Sequence, residues 1–176
     1  YAPANLFAGT GVFGTVAAFI AISGTFVGFA VKYAVPDKPS VVTRKVNRAG
    51  ATCPSLTSLK PLDRYPAATI FSFIDLGPRL ITITHHSAVA GPYHRNGDAI
   101  LDVQHAFKGS ADQFRAIAKR HGATLLLTCP NMSEATVYSV RARNGFYSRL
   151  DQGEVPPWLE PLPLPKNSPL RLWRIR

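Results

Sequence analysis

AATIFSFIDLGPRLITITHHSAVAGPYHRN, residues Ala67 to Asn96, decides the fold, because it sets the chain's apolar β-formers beside its densest group of ionisable side chains. Within it, Ala67 to Ile74 is a short apolar run carrying Ile70, Phe71, Phe73 and Ile74, closed by Pro66 before and by Asp75, Gly77 and Pro78 after. Such length and punctuation favour a buried strand over a helix. Pro78 then fits the first position of a short helix through Leu80, Ile81 and Ile83, where its fixed φ is already helical and its missing N–H has no partner to lose. A second apolar run, Ser87 to Gly91, follows after a connection just long enough for a parallel crossover. The stretch therefore reads as the centre of a small α/β domain. Open α/β sheets gather ligand groups beyond the carboxyl ends of their strands. Asp75 and the cluster Tyr93, His94, Arg95 and Asn96 fall at that edge, which is the candidate site.

Downstream, Asn96 or Asp98 is placed to cap a helix in which Ile100, Val103 and Phe107 recur at helical spacing before Gly109. Ser110-Ala111-Asp112-Gln113 has capping-box spacing and starts the next helix, with Phe114, Ile117, Ala118 and His121 on one face and Gly122 as the stop. Ala123 to Thr128 is a third strand running into Cys129, so a third strand end reaches the same edge. A helix from Ser133 to Arg143 and a shorter one through Phe146 and Leu150 follow. The proline-rich stretch from Pro156 to Pro169 reads as extended chain on the surface. Leu170 to Arg176, in which basic residues are interleaved with apolar ones, reads as an edge strand with its basic residues outward. The expected architecture is two or three layers around a mostly parallel sheet of about four strands, with that carboxyl-terminal strand at one edge.

Upstream the chemistry changes. Tyr1 to Val31 has no charged side chain, and Leu6 to Val31 would span roughly 39 Å as a helix, enough to cross a bilayer with tilt. The boundaries expected are a transmembrane helix over 1–36, a juxtamembrane linker over 37–52 and an α/β domain over 53–176. A signal peptide would need a basic start and a shorter apolar core. A chain beginning with Tyr reads as a piece of a longer protein, and Gly9, Gly11, Gly14, Gly24 and Gly28, with the last two in a G-x-x-x-G, predict neighbouring transmembrane helices.

Of the 20 Lys and Arg only Lys32 precedes residue 36, so the remaining 19 against ten acids give the rest of the chain +9. That charge favours anionic partners such as lipid headgroups or phosphates. The basic residues are spread out with no nucleic-acid-binding motif, so no nucleic acid is expected. Cys53 and Cys129, the only two cysteines, lie too far apart for a C-x-x-C site. They read either as one disulfide of an oxidising compartment or as two unrelated buried thiols. Basic residues Lys32, Lys38, Arg44, Lys45 and Arg48 would place the following domain in the cytoplasm by the positive-inside rule, but a domain of this size can translocate regardless of charge.

At the candidate edge the ligand-binding set is Asp75, His86, His94, Arg95 and Asn96. No metal is expected, because the spacing matches no zinc signature and adjacent His85 and His86 on a strand would face opposite ways. Acid/base chemistry would pair Asp75 with His94, yet no Ser or Cys stands in a nucleophile motif. Two readings remain open. In one, Asp75 caps the turn at Gly77 while His94 and Asn96 tie their loop to backbone. In the other, Arg95 and His94 recognise an anion. No cofactor is expected.

Taken together, the final apolar helix, Cys53, the first strand, DLGP, THHSAVAGPYHRN, the capped helix, GATLLLTC and GEVPPWLEPL…LRLWRIR resemble the carboxyl-terminal end of a bacterial multi-pass membrane protein of the GT-C glycosyltransferase type. The resemblance implies a polyprenyl-phosphate-sugar-dependent enzyme whose last membrane helix leads into an extracytoplasmic α/β domain, as in oligosaccharyltransferase catalytic subunits. It implies an inner-membrane location, a periplasmic domain, and a polyprenyl-phosphate sugar or glycan as ligand alongside the bilayer and other transmembrane helices. The catalytic carboxylates of such enzymes lie between amino-terminal membrane helices, which nothing here matches, so no catalytic residue is assigned. Trp158 and Trp173 each stand alone, without the W-W-D-like acceptor motif. The competing class is a non-enzymatic membrane-anchored binding or assembly subunit.

Overall fold

The structure, a computed structural model, describes residues 14–16, 18, 19, 24, 28 and 39–176. Most of the expected transmembrane helix lies outside the described residues, among which no helix is long and apolar enough to cross a membrane. The chain divides into compact units Tyr1–Ser40 and Val41–Arg176, and the second carries the fold discussed below. Residues 41–52, expected as part of a linker, form helix α1 (Val41–Thr52), whose Ala49 is buried.

After α1 come α2 (Leu56–Leu59), a 3₁₀ turn (Lys60–Arg64), β1 (Thr69–Phe71), a 3₁₀ turn (Ile74–Leu76), α3 (Gly77–Ile83), β2 (Ser87–Ala88) and a 3₁₀ turn (His94–Asn96). There follow α4 (Gly97–Lys108), α5 (Ala111–Arg120), β3 (Ala123–Thr128), α6 (Ser133–Arg141), α7 (Phe146–Asp151), β4 (Leu159–Leu162) and β5 (Arg171–Ile175). The expected first strand shrinks to three residues, because Ile74 already belongs to the 3₁₀ turn that re-aims the chain into α3.

Strand order is β2-β1-β3-β5-β4, with β1 parallel to β2 and β3 and with β5 antiparallel to β3 and β4. Two expectations are corrected here. The sheet is mixed and five-stranded rather than mostly parallel, and the carboxyl-terminal strand lies inside it, pairing Leu126 with Trp173 and Leu127 with Leu172. The proline-rich segment supplies the edge through β4, where Pro161 sits opposite Trp173. An edge strand tolerates a residue that donates no ladder hydrogen bond. Leu172 and Trp173 are both buried, and adjacent strand residues face opposite sides, so both faces of β5 are covered.

Ile70 and Phe71 are likewise both fully buried. Phe71 meets Phe107 of α4 at 5.5 Å and Phe114 of α5 at 4.7 Å between ring centroids, edge-on, and Phe73 meets Tyr147 of α7 at 5.3 Å. These aromatic contacts pack α4, α5 and α7 onto one side of β1, each adding about 0.5–1.5 kcal/mol beyond its area burial. α5 begins as its sequence predicts, Ser110 Oγ accepting from the Gln113 N–H at 3.1 Å, and ends where Gly122 takes φ +62°. α4 does not begin as expected. Asn96 makes no capping hydrogen bond, because the 3₁₀ turn His94–Asn96 runs directly into the helix and leaves no extended cap residue.

Candidate site at the carboxyl edge of the parallel strands

The turn leaving β1 is gripped from α6. One carboxylate oxygen of Glu134 accepts the Ile74 N–H and the other accepts the Asp75 N–H, both at 3.1 Å. Tyr138, one helical turn on, donates its hydroxyl to the same carboxylate. Burial raises the Glu134 pKa above the ordinary glutamate range, and the three hydrogen bonds oppose that shift without cancelling it. Burial, with the Glu134 charge behind it, also pushes the Tyr138 phenol up. Ile74 is buried beneath the grip, whereas the Asp75 side chain is exposed above it.

The second turn is pressed against the first. A Cβ on Gly77 would lie 2.1 Å from the Ala90 carbonyl oxygen, so only glycine lets the DLGP turn approach the chain leaving β2. A Cβ on Gly91 would meet the Tyr93 ring at 2.8 Å and Pro78 Cδ at 3.6 Å. Tyr93, His94 and Arg95 are exposed and Asn96 partly so. The loop holds itself by backbone bonds, Tyr93 N–H to Gly91 O and Asn96 N–H to Tyr93 O. The side chains of Asp75, His94, Arg95 and Asn96 take part in no hydrogen bond or ion pair among the described residues, and neither Asp75 nor Asn96 supplies a side-chain cap. Of the two readings open from sequence, the capping one therefore lacks its bonds.

His86 stands apart from this edge. It is buried, its Nδ1 accepting the Ala68 N–H at 3.2 Å and its Nε2 donating to the Leu62 carbonyl at 3.0 Å, the tautomer being the one these partners require. Ala68 precedes β1, so His86 lies at the amino ends of the parallel strands. Adjacent His85 does not face the opposite way as expected. Both histidines precede β2, and their rings meet edge-on at 4.5 Å. Asp63, His85 and His86 offer ligand atoms within 4.8 Å of one another. Most of their donor atoms are already engaged: His85 Nε2 with Tyr65 O, Asp63 with Lys60 and the His85 N–H, and both His86 nitrogens with backbone, while His85 Nδ1 lies 3.7 Å from Asp63 Oδ1. The cluster ties the entrance of β1 to the 3₁₀ turn after α2.

Cys53 and Cys129 form a disulfide with Cα atoms 6.3 Å apart, joining the chain just after α1 to the end of β3. Sequence reasoning missed Glu134. Its signal was faint: an acid in the first turn of a helix, with a tyrosine four residues on.

No family model matches the sequence, and neither does any curated protein. Among solved structures the fold is similar to the C-terminal globular domain of an oligosaccharyltransferase from Archaeoglobus fulgidus, with TM-score 0.52 and 10% sequence identity, over 79% of this chain and 99% of that one. The class defined is a mixed α/β globular domain of the kind found at the carboxyl end of an oligosaccharyltransferase. At that identity the likeness is one of fold.

Proposed function

We propose that this chain is the extracytoplasmic carboxyl-terminal domain and last membrane anchor of a polyprenyl-phosphate-sugar-dependent glycosyltransferase-like membrane protein, in which the domain contacts the acceptor or the donor headgroup and performs no bond-breaking step. The observation that carries this reading is the pair of abutting turns at the carboxyl edge, in a fold shared with an oligosaccharyltransferase domain. They offer an uncommitted guanidinium, an imidazole and a carboxylate, from Arg95, His94 and Asp75, beside Asn96. Arg95 pairs with phosphate or carboxylate oxygens through a planar fork, and Asp75 accepts sugar hydroxyls. His86, pinned at the other end of β1, is a structural residue in this reading. The disulfide supports a periplasmic location, since such bonds persist in oxidising compartments.

Titration with a short-chain polyprenyl phosphate tests the reading. Arg95→Ala should weaken binding about ten- to 150-fold, the value of a charge-assisted hydrogen bond of roughly 1.5–3 kcal/mol, and leave the thermal midpoint unchanged. Unaltered affinity would overturn it. The alternative, a non-enzymatic assembly subunit, draws on the exposed Leu101, Val137 and Val140. It predicts that substituting those three with serine releases partner chains from native membranes while Arg95→Ala does not.

A further inference from the structure

Helix α1 carries Arg44, Lys45 and Arg48 and no acid. The disulfide immediately after it ties it to the end of β3. Between α1 and the turn after β3 runs a groove of about 310 Å³ lined by Lys45, Arg48, Thr52, Pro130, Asn131 and Pro169. No carboxylate lines it. Elsewhere on the domain surface several cations are matched: Arg120 to Asp102, Arg149 to Glu154, Arg171 to Asp151, and Arg174 and Arg176 to Glu160. The side chains of Arg44, Lys45 and Arg48 have no such partner among the described residues. At the start of the same helix Val41 and Val42 are 59% and 60% exposed, so two apolar side chains stand in water beside the unmatched cations.

Cations without counter-charge next to exposed aliphatic groups on one short helix suit a lipid–water interface, where headgroup phosphates meet the cations and the valines reach the acyl boundary. We propose that α1 and its groove form a docking surface for anionic phospholipid, with Lys45 and Arg48 holding a lipid phosphate. Arg95 does not line this groove, and the proposal does not rest on the role proposed for the strand edge. Each cation near an anionic surface strengthens association about fivefold, so Lys45 and Arg48 together contribute about 25-fold.

The test is hydrogen exchange of the full chain reconstituted in phosphatidylcholine vesicles, with or without about one-third phosphatidylglycerol. Amides of Val41 to Arg48 should exchange at least fivefold more slowly in the anionic vesicles and recover in molar salt, while those of β3 stay unchanged. Lys45→Gln with Arg48→Gln should abolish the slowing, whereas Arg115→Gln with Lys119→Gln, cations of α5, should keep it. Equal exchange in both vesicle types overturns the proposal, as does slowing that survives the Lys45 and Arg48 substitutions. Slowing produced in phosphatidylcholine by inorganic phosphate alone would also overturn it, placing a free-anion site there instead of a lipid surface. Arg95→Ala should leave the protection intact, so this result and the polyprenyl-phosphate titration fail independently.

Discussion

Replacing Glu134 by alanine removes the only acceptor of three hydrogen bonds, from Ile74 N–H, Asp75 N–H and the Tyr138 hydroxyl. Asp75 is exposed and its N–H can turn to water, but Ile74 and Tyr138 are buried, so two donors are left dry. At about 1–3 kcal/mol for each stranded group, less the relief of no longer burying a carboxylate, the net loss is about 2–4 kcal/mol. For a domain of this size that is a fall of very roughly 8–16 °C in Tm. Urea denaturation of the oxidised chain measures it, and the double-mutant cycle with Tyr138→Phe should show coupling of about 1 kcal/mol. A pH series adds an independent sign. Because the folded pKa of Glu134 is raised, its contribution to stability grows as pH falls from above that folded value toward the ordinary glutamate value and is lost as pH rises through it. Glu134→Gln should remove that component. A loss below about 1 kcal/mol for Glu134→Ala, or a Glu134→Gln profile identical to the parent's across that window, would refute the assignment of Glu134 as the grip on the turn.

Reducing the Cys53–Cys129 bond, which closes a separation of 76 residues, should lower stability by up to about 4.5 kcal/mol, measured by denaturation with and without reductant. Gly77→Ala should destabilise by about 1–3 kcal/mol or more, because the new methyl meets the Ala90 carbonyl backbone at 2.1 Å and neither side is a flexible chain end. A thermal midpoint within a degree of the parent would mean the two turns do not abut. His86→Phe should cost about 2–4 kcal/mol by stranding the Ala68 N–H and the Leu62 carbonyl, with no change in polyprenyl-phosphate affinity, since His86 lies at the opposite end of β1 from Arg95.

What the sequence alone determined is what nearest neighbours along the chain dictate. Ser110 three residues before Gln113 caps α5 because both groups lie within one turn, and Pro78 starts α3 because its ring fixes φ whatever lies beyond. The ATLLLT run becomes β3, and the placing of Asp75 and Arg95 beyond parallel strand ends follows from strand-helix-strand order. Tertiary structure decided the rest, since these choices join residues far apart in sequence. The carboxyl-terminal strand entered the sheet because Leu172 and Trp173, neighbours pointing opposite ways, both needed cover, and a proline-bearing strand could then take the edge. His86 was drawn to the far end of β1 because two backbone groups there, at Leu62 and Ala68, required partners. Glu134 became part of the candidate site only when α6 packed behind β1 and two N–H groups 59 and 60 residues upstream turned toward its carboxylate. A hydrogen bond between such distant residues leaves no period or spacing in the sequence, because its geometry exists only once the sheet is assembled.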